Sequence, residues 1–152
     1  MEIRLLAERP EFVSTVAGWL FEQFGYLNPG ASRERAEIRI RERLNTTGCP
    51  VTFVSLEEGT VIGTASLVKN DLEACPHLSP WLAGLFVLPL HRRRGHGAQL
   101  AYAAADHARR SGSVKLHLFT PDHQAFFGKL GWVELQTLQH HQVRVSTMER
   151  AL

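Results

Sequence analysis

Only two cysteines, Cys49 and Cys75, occur in the 152 residues. That number builds neither a disulfide framework nor a cysteine-based metal site, so both are read as reduced thiols. The eight histidines show no zinc-protease spacing and no accompanying cysteine pair. The adjacent His140 and His141 would hold a metal only fortuitously, and no metal cofactor is expected. No apolar run approaches the roughly 18 residues of a membrane-spanning helix. The opening stretch from Met1 to Pro10 mixes charges with its apolar residues and lacks a signal-peptide core. Charge of one sign is scarce as well: 17 Lys and Arg against 15 Asp and Glu leave a net charge of +2. A nucleic-acid partner would need basic residues gathered on one face. Together these absences describe a cytoplasmic protein with neither a membrane nor a nucleic acid as its expected partner.

What remains is an ordinary globular composition, 44% hydrophobic and 21% charged, at the length of a single domain spanning 1–152. Ile3 to Leu6 suits a first strand. From Glu11 the apolar residues Phe12, Val13, Val16, Ala17, Leu20, Phe21 and Phe24 fall at helical spacing, and Gly25 ends the run. Ser32 caps a second predicted helix reaching about Asn45, whose arginines from Arg33 to Arg43 alternate with Glu34, Glu37 and Glu42 as on a solvated face. Val51–Leu56 and Thr60–Val68 read as a hairpin turning at Glu57-Glu58-Gly59, with Gly63 as a bulge or point of close approach. After a polar loop from Asn70 to Pro80, the almost wholly apolar Trp81–Val87 reads as a central strand covered on both faces. A helix from Ala98 to Arg110 and a strand from Val114 to Phe119 complete a right-handed parallel crossover. A short helix from His123 to Leu130 and a last strand pair, Trp132–Leu138 and Gln142–Met148, finish one α/β domain.

Chemistry concentrates where the central strand runs into Leu88-Pro89-Leu90-His91-Arg92-Arg93-Arg94-Gly95-His96-Gly97-Ala98 and opens a helix. A helix N-terminus exposes unpaired N–H groups and about half a positive charge, which suits phosphate. Gly95 and Gly97 allow close backbone approach. No Gly-Lys-Ser or Gly-Lys-Thr of a Walker loop occurs, and Gly95-His96-Gly97 comes too late in the domain for a dinucleotide fingerprint.

Arg92-Arg93-Arg94-Gly95-His96-Gly97 resembles the Arg/Gln-x-x-Gly-x-Gly/Ala hallmark of the GNAT superfamily of acyl-CoA-dependent N-acyltransferases, with Val87 and Pro89 in the usual upstream places. Phe127-Gly128-Lys129-Leu130-Gly131-Trp132 is similar to that family's second signature, and the element order agrees along essentially the whole chain. The resemblance implies a mixed, mostly antiparallel, twisted sheet of six to seven strands, with a central parallel strand–helix–strand splay and about four helices. It implies acetyl-CoA as co-substrate and a primary amine of a small molecule or peptide as acceptor, attacked directly in a ternary complex. Leu85, Phe86 and Val87 would pair with the pantetheine arm, and the amides across Arg92, Arg93, Arg94, Gly95, His96, Gly97 and Ala98 would hold the pyrophosphate. Which arginine points at phosphate stays open. Thr120 and Asp122 stand where the family frequently has a pantetheine- or reaction-centre-contacting asparagine, although Asp122 reads better as the cap of the short helix.

The thiolate acid and the base depart from the family pattern. Phe127 occupies a frequent tyrosine position and has no proton to give, and Trp81 to Val87 holds no carboxylate. Base candidates are Asp71, Glu73 and His77 in the loop before the central strand, and His117 on the next strand. Two readings follow from Phe127: a water-assisted enzyme, or a catalytically silent acyl-CoA-binding or sensing domain. Tyr26 and Trp81 could wall an amine site, though Trp81 reads first as core. Asp71 and Glu73 hint at a cationic acceptor. Exposed strand edges leave a homodimer open.

Overall fold

The computed structural model describes residues 1–152. Seven strands form one sheet: β1 (Glu2–Leu5), β2 (Val51–Glu57), β3 (Thr60–Val68), β4 (Trp81–Val87), β5 (Lys115–Thr120), β6 (Val133–His140) and β7 (Val143–Ala151). Their spatial order is β1-β2-β3-β4-β5-β7-β6, and every neighbouring pair is antiparallel except β4 with β5. Four α-helices, α1 (Val13–Phe24), α2 (Arg33–Arg41), α3 (His96–Arg110) and α4 (Gln124–Lys129), flank it. This is the expected GNAT-like architecture with seven strands. No helix is long and apolar enough to cross a membrane.

The two faces of the sheet are covered by different helices. On one, the alanines of α3 (Ala101, Ala104, Ala105 and Ala108) pack with Leu100 against Val51, Phe53, Ile62 and Leu67. Small side chains at these spacings let helix and sheet approach closely. On the other, Val13, Val16 and Ala17 of α1 and Ile40 of α2 cover Val54, Leu56 and Val61. The β3–β4 loop, polar in composition, is pinned by Leu72 and Cys75, which are buried with Val68, Trp81 and Ala83.

Several element boundaries differ from those expected by one to four residues, β7 running on to Ala151 among them, and two of the shifts have a visible cause. Ser32 does cap α2, its Oγ accepting from the Arg35 N–H at 3.1 Å, but the helix ends at Arg41 rather than near Asn45. Leu44 forms a bridge with Val51, and Asn45 Nδ2 donates to Pro50 O at 2.8 Å, drawing the chain into the sheet. At the other end of the molecule, α3 starts at His96, two residues before Ala98, because Gly95 supplies a left-handed turn at φ 88.

Two irregularities shape the centre. The register of β2 with β3 shifts opposite Gly63, where an added Cβ would lie 3.1 Å from Phe86 O and from Leu100 Cδ1. On β4, Ala83 pairs with Ser66 and Phe86 with Thr64, so Gly84 and Leu85 together face Ala65. This bulge rests on Gly84 at φ 62, a conformation glycine adopts without a Cβ penalty.

Candidate active site

The parallel ladder between β4 and β5 is registered at one position, Trp81 with His117. Beyond it the strands diverge. The opening is a cavity of about 630 Å³, walled by Leu82 to Val87 on one side and Leu118 to Thr120 on the other. Strand groups facing such a split have no ladder partner there, so an extended chain can bond to them as an added strand. Leu85, Phe86 and Val87 all line it, as does Phe127, whose ring packs edge-on to Phe126 and Trp132 at 5.0 and 6.0 Å.

The arginine loop closes one end. Arg92 and Arg93 line the cavity. Arg92 Nε donates to Val87 O at 2.8 Å and its guanidinium lies 5.6 Å over the Phe86 ring, tying loop to strand. Arg93 takes a left-handed φ of 64 before Gly95 takes another. Arg94 turns the other way, 3.8 Å from Glu57 Oε1. His96 is buried, with Nδ1 2.8 Å from Ser55 Oγ and Nε2 3.8 Å from the same Glu57, which also meets His91 Nδ1 at 2.6 Å. Thus the end of β2 holds the loop from behind. No side chain caps α3, leaving its first N–H groups and positive dipole end free for an anion. Gly97 also borders the cavity, where a Cβ would meet Phe126 Cζ at 3.3 Å, and the half-buried Ala98 follows in the first turn. Ser55 and Glu57 were invisible to motif reading, since nothing in their local sequence marks them as loop supports.

Among the base candidates the structure brings one to the cavity. Asp71 lines it. Desolvation raises its carboxyl to about 7, against the opposing pull of Arg43 and Arg39. Glu73 and His77 are exposed and outside the cavity wall. His117 is buried away from it, Nε2 3.0 Å from Glu149 Oε2 and Nδ1 3.3 Å from Pro80 O, and serves as a latch where β4 and β5 meet. Trp81 is core, donating Nε1–H to Leu78 O at 2.7 Å, so it forms no amine wall. Tyr26 does line the cavity. Its phenol is raised by desolvation and by the charge of Asp122.

The turn before α4 corrects another expectation. Thr120 Oγ1, not Asp122, accepts from the His123 N–H, at 3.0 Å, while Gln124 Nε2 donates to Ser146 Oγ at 3.1 Å. Asp122 is exposed and borders the cavity beside Thr120. The basic run of α2 also divides rather than forming one solvated face. Arg33 pairs with Glu22 and Arg41 with Glu37 on one side. Arg35, Arg39 and Arg43, spaced i, i+4, i+8, line the cavity, and the last two are close enough to Asp71 to act on its charge.

Residues 14–132 match the model of the Acetyltransferase (GNAT) family, and the chain belongs to that family. Solved structures share the fold at low identity. An aminoglycoside 6'-N-acetyltransferase complexed with coenzyme A aligns with a TM-score of 0.75 at 13% identity, over 99% of this chain and 97% of its own. The ribosomal-protein-alanine N-acetyltransferase from Brucella melitensis gives 0.73 at 21%, over 100% of both chains. A Salmonella typhimurium protein solved with its cofactor acetyl-CoA gives 0.72 at 19%, over 100% of this chain and 94% of the other. No curated protein sequence matches significantly. The family and these folds support acetyl transfer in general terms. They leave the acceptor to the chemistry of the cavity.

Proposed function

We propose that the protein transfers the acetyl group of acetyl-CoA to a primary amine of a small molecule or peptide, by direct attack within a ternary complex. The observation that carries this reading is a single cavity in the β4–β5 split, with Arg92, Arg93 and the uncapped start of α3 at one end and Asp71 at the other.

Leu85 to Val87 would bond the pantetheine arm as an extra strand, and the loop with the α3 N-terminus would bind the pyrophosphate. A backbone N–H of that strand segment would face the carbonyl oxygen, a fixed dipole aimed where negative charge develops. A protonated amine has no lone pair to attack with. Asp71 therefore takes the proton as the amine nitrogen adds to the thioester carbon. As the tetrahedral intermediate collapses, the C–N bond is kept and the C–S bond breaks. A thiol of pKa about 8.5 leaves as thiolate without a strong acid, so Phe127 does not preclude turnover. The second amine proton leaves nitrogen as the C–S bond breaks and passes through water to the thiolate. The placement of a carboxylate of raised pKa on the cavity wall favours this reading over a silent acyl-CoA-binding domain.

Free-thiol release from acetyl-CoA, measured across a broad panel of amines, tests it. Amine-dependent release well above hydrolysis is expected. Tight acetyl-CoA binding with no release for any amine would turn the reading to a binding domain.

A further inference from the structure

The acceptor end of the cavity has a charge pattern that the general reading leaves unused. Three guanidiniums of α2 and its following turn, Arg35, Arg39 and Arg43, line the cavity, whose lining carboxylates are Asp71 and Asp122. Arg35 Nη1 donates to Gly30 O at 3.1 Å, which fixes its stem and leaves its other donors free. Arg39 and Arg43 form no ion pair, although Arg33 and Arg41 on the neighbouring face of the same helix are both paired with glutamates. The cavity-facing arginines are therefore the unneutralised ones. Burial disfavours the charge of Arg43, with Asp71 and Glu42 acting to retain it and Arg39 against it. Three guanidiniums facing one cavity without matching counter-charge repel one another, and an incoming anion relieves that repulsion. Guanidiniums match the planar or tetrahedral oxygens of carboxylate and phosphate by forked hydrogen bonds.

We infer that the acceptor is a small amine that also carries an oxyanion, carboxylate or phosphate, with Arg39 and Arg43 holding the anion while the amine faces Asp71. This rests on the acetyl-transfer reading and narrows it. It also reverses the sequence-based hint of a cationic acceptor: Glu73 lies outside the cavity, and the two carboxylates that line it, Asp71 and Asp122, are outnumbered by its five arginines. A polycation would meet three like charges there.

The test compares matched acceptors by thiol release from acetyl-CoA. L-amino acids are set against their amides, and O-phosphoethanolamine against ethanolamine, with spermidine and kanamycin as cationic controls. Either anionic arm should exceed its neutral partner in kcat/KM by about 10- to 100-fold, and which arm does so identifies carboxylate or phosphate. Arg39→Ala should raise KM for the preferred anion by a similar factor, while KM for acetyl-CoA holds and shows that the variant remains folded. Arg39→Glu should shift preference toward the cationic controls. Turnover of neutral or cationic amines equal to or better than the anionic ones would overturn the inference and leave the transferase standing. A rise in acetyl-CoA KM on Arg39→Ala would assign the arginines to the cofactor and overturn it too. No turnover in any arm would overturn both the inference and the reading beneath it.

Discussion

Arg92 Nε donates to the carbonyl of Val87 at 2.8 Å, joining the arginine loop to the strand end that borders the cavity. Breaking this bond frees the loop and removes a cation from the cavity wall. Arg92→Ala should weaken acetyl-CoA binding by about 10- to 100-fold, the range of a charged hydrogen bond. Arg94→Ala, whose side chain points to Glu57 instead, should change it far less. Calorimetric titration of acetyl-CoA into both variants makes the comparison.

Asp71 should set the pH profile. Its carboxyl, raised to about 7 by desolvation, is a base only when ionised, so kcat should climb through about pH 7 and level above it. Asp71→Asn should lower kcat by about 10²- to 10⁴-fold and abolish that limb. Stability moves in a linked way. A raised carboxyl pKa means the folded state binds more protons than the unfolded state between the two values, so stability falls as pH rises from the ordinary value of 3.8 to about 7. Asp71→Asn removes this penalty. The variant should melt higher than the parent above pH 7 and gain nothing well below 3.8, as thermal melts at both ends would show.

Much of the fold was legible because periodicity survives in the sequence. The helical spacing from Phe12 to Phe24 and the β-branched run at Val51 have one local solution each. The loop of Arg92 to Gly97 was legible because glycines and a strand–helix junction leave a contiguous signature. The support behind that loop was not. Ser55 and Glu57 look like ordinary strand residues until β2 is placed beside α3, forty-one residues away for the Ser55–His96 contact. The same holds for Arg35, Arg39 and Arg43: alternation with glutamate looks solvated in one dimension, and only the packing of α2 reveals which face meets the cavity. His117 failed as a base for the converse reason, since Glu149 and Pro80, its partners, come from distant strands and loops.

The buried Ser55–His96 contact should matter for stability. Ser55→Ala removes the partner of a ring nitrogen in a residue that is 2% exposed. The expected loss is about 1–3 kcal/mol, on the order of 2–12 °C in melting temperature for a chain of this length. Ser55→Thr, which keeps the hydroxyl, should lose less if the extra methyl is accommodated. Thermal unfolding of the three proteins decides this.

Gly84 holds the bulge on β4. A side chain there must adopt φ 62, and its Cβ would sit 3.3 Å from Leu20 Cδ2. Gly84→Ala should cost about 1–2 kcal/mol for the left-handed conformation and lower kcat more than it raises KM for acetyl-CoA, because the bulge shapes the reaction end of the split. Steady-state kinetics beside a denaturant melt separates the two effects.

Phe127→Tyr addresses the absent proton donor. In a water-assisted enzyme the added hydroxyl at a 7% exposed site should leave turnover unchanged or reduced. Appearance of activity from an inactive parent would instead identify a domain that had lost its acid.

The most direct test of the central claim is the melting temperature with acetyl-CoA, with ATP and NADH as phosphate-bearing controls. With free ligand near 100 times its Kd, linkage gives about 2.7 kcal/mol of stabilisation, on the order of 5–10 °C here. A shift of that size with acetyl-CoA alone is the predicted result. No shift at millimolar acetyl-CoA, or an equal shift with ATP, would contradict the assignment of the β4–β5 split and the Arg92–Ala98 loop to coenzyme A.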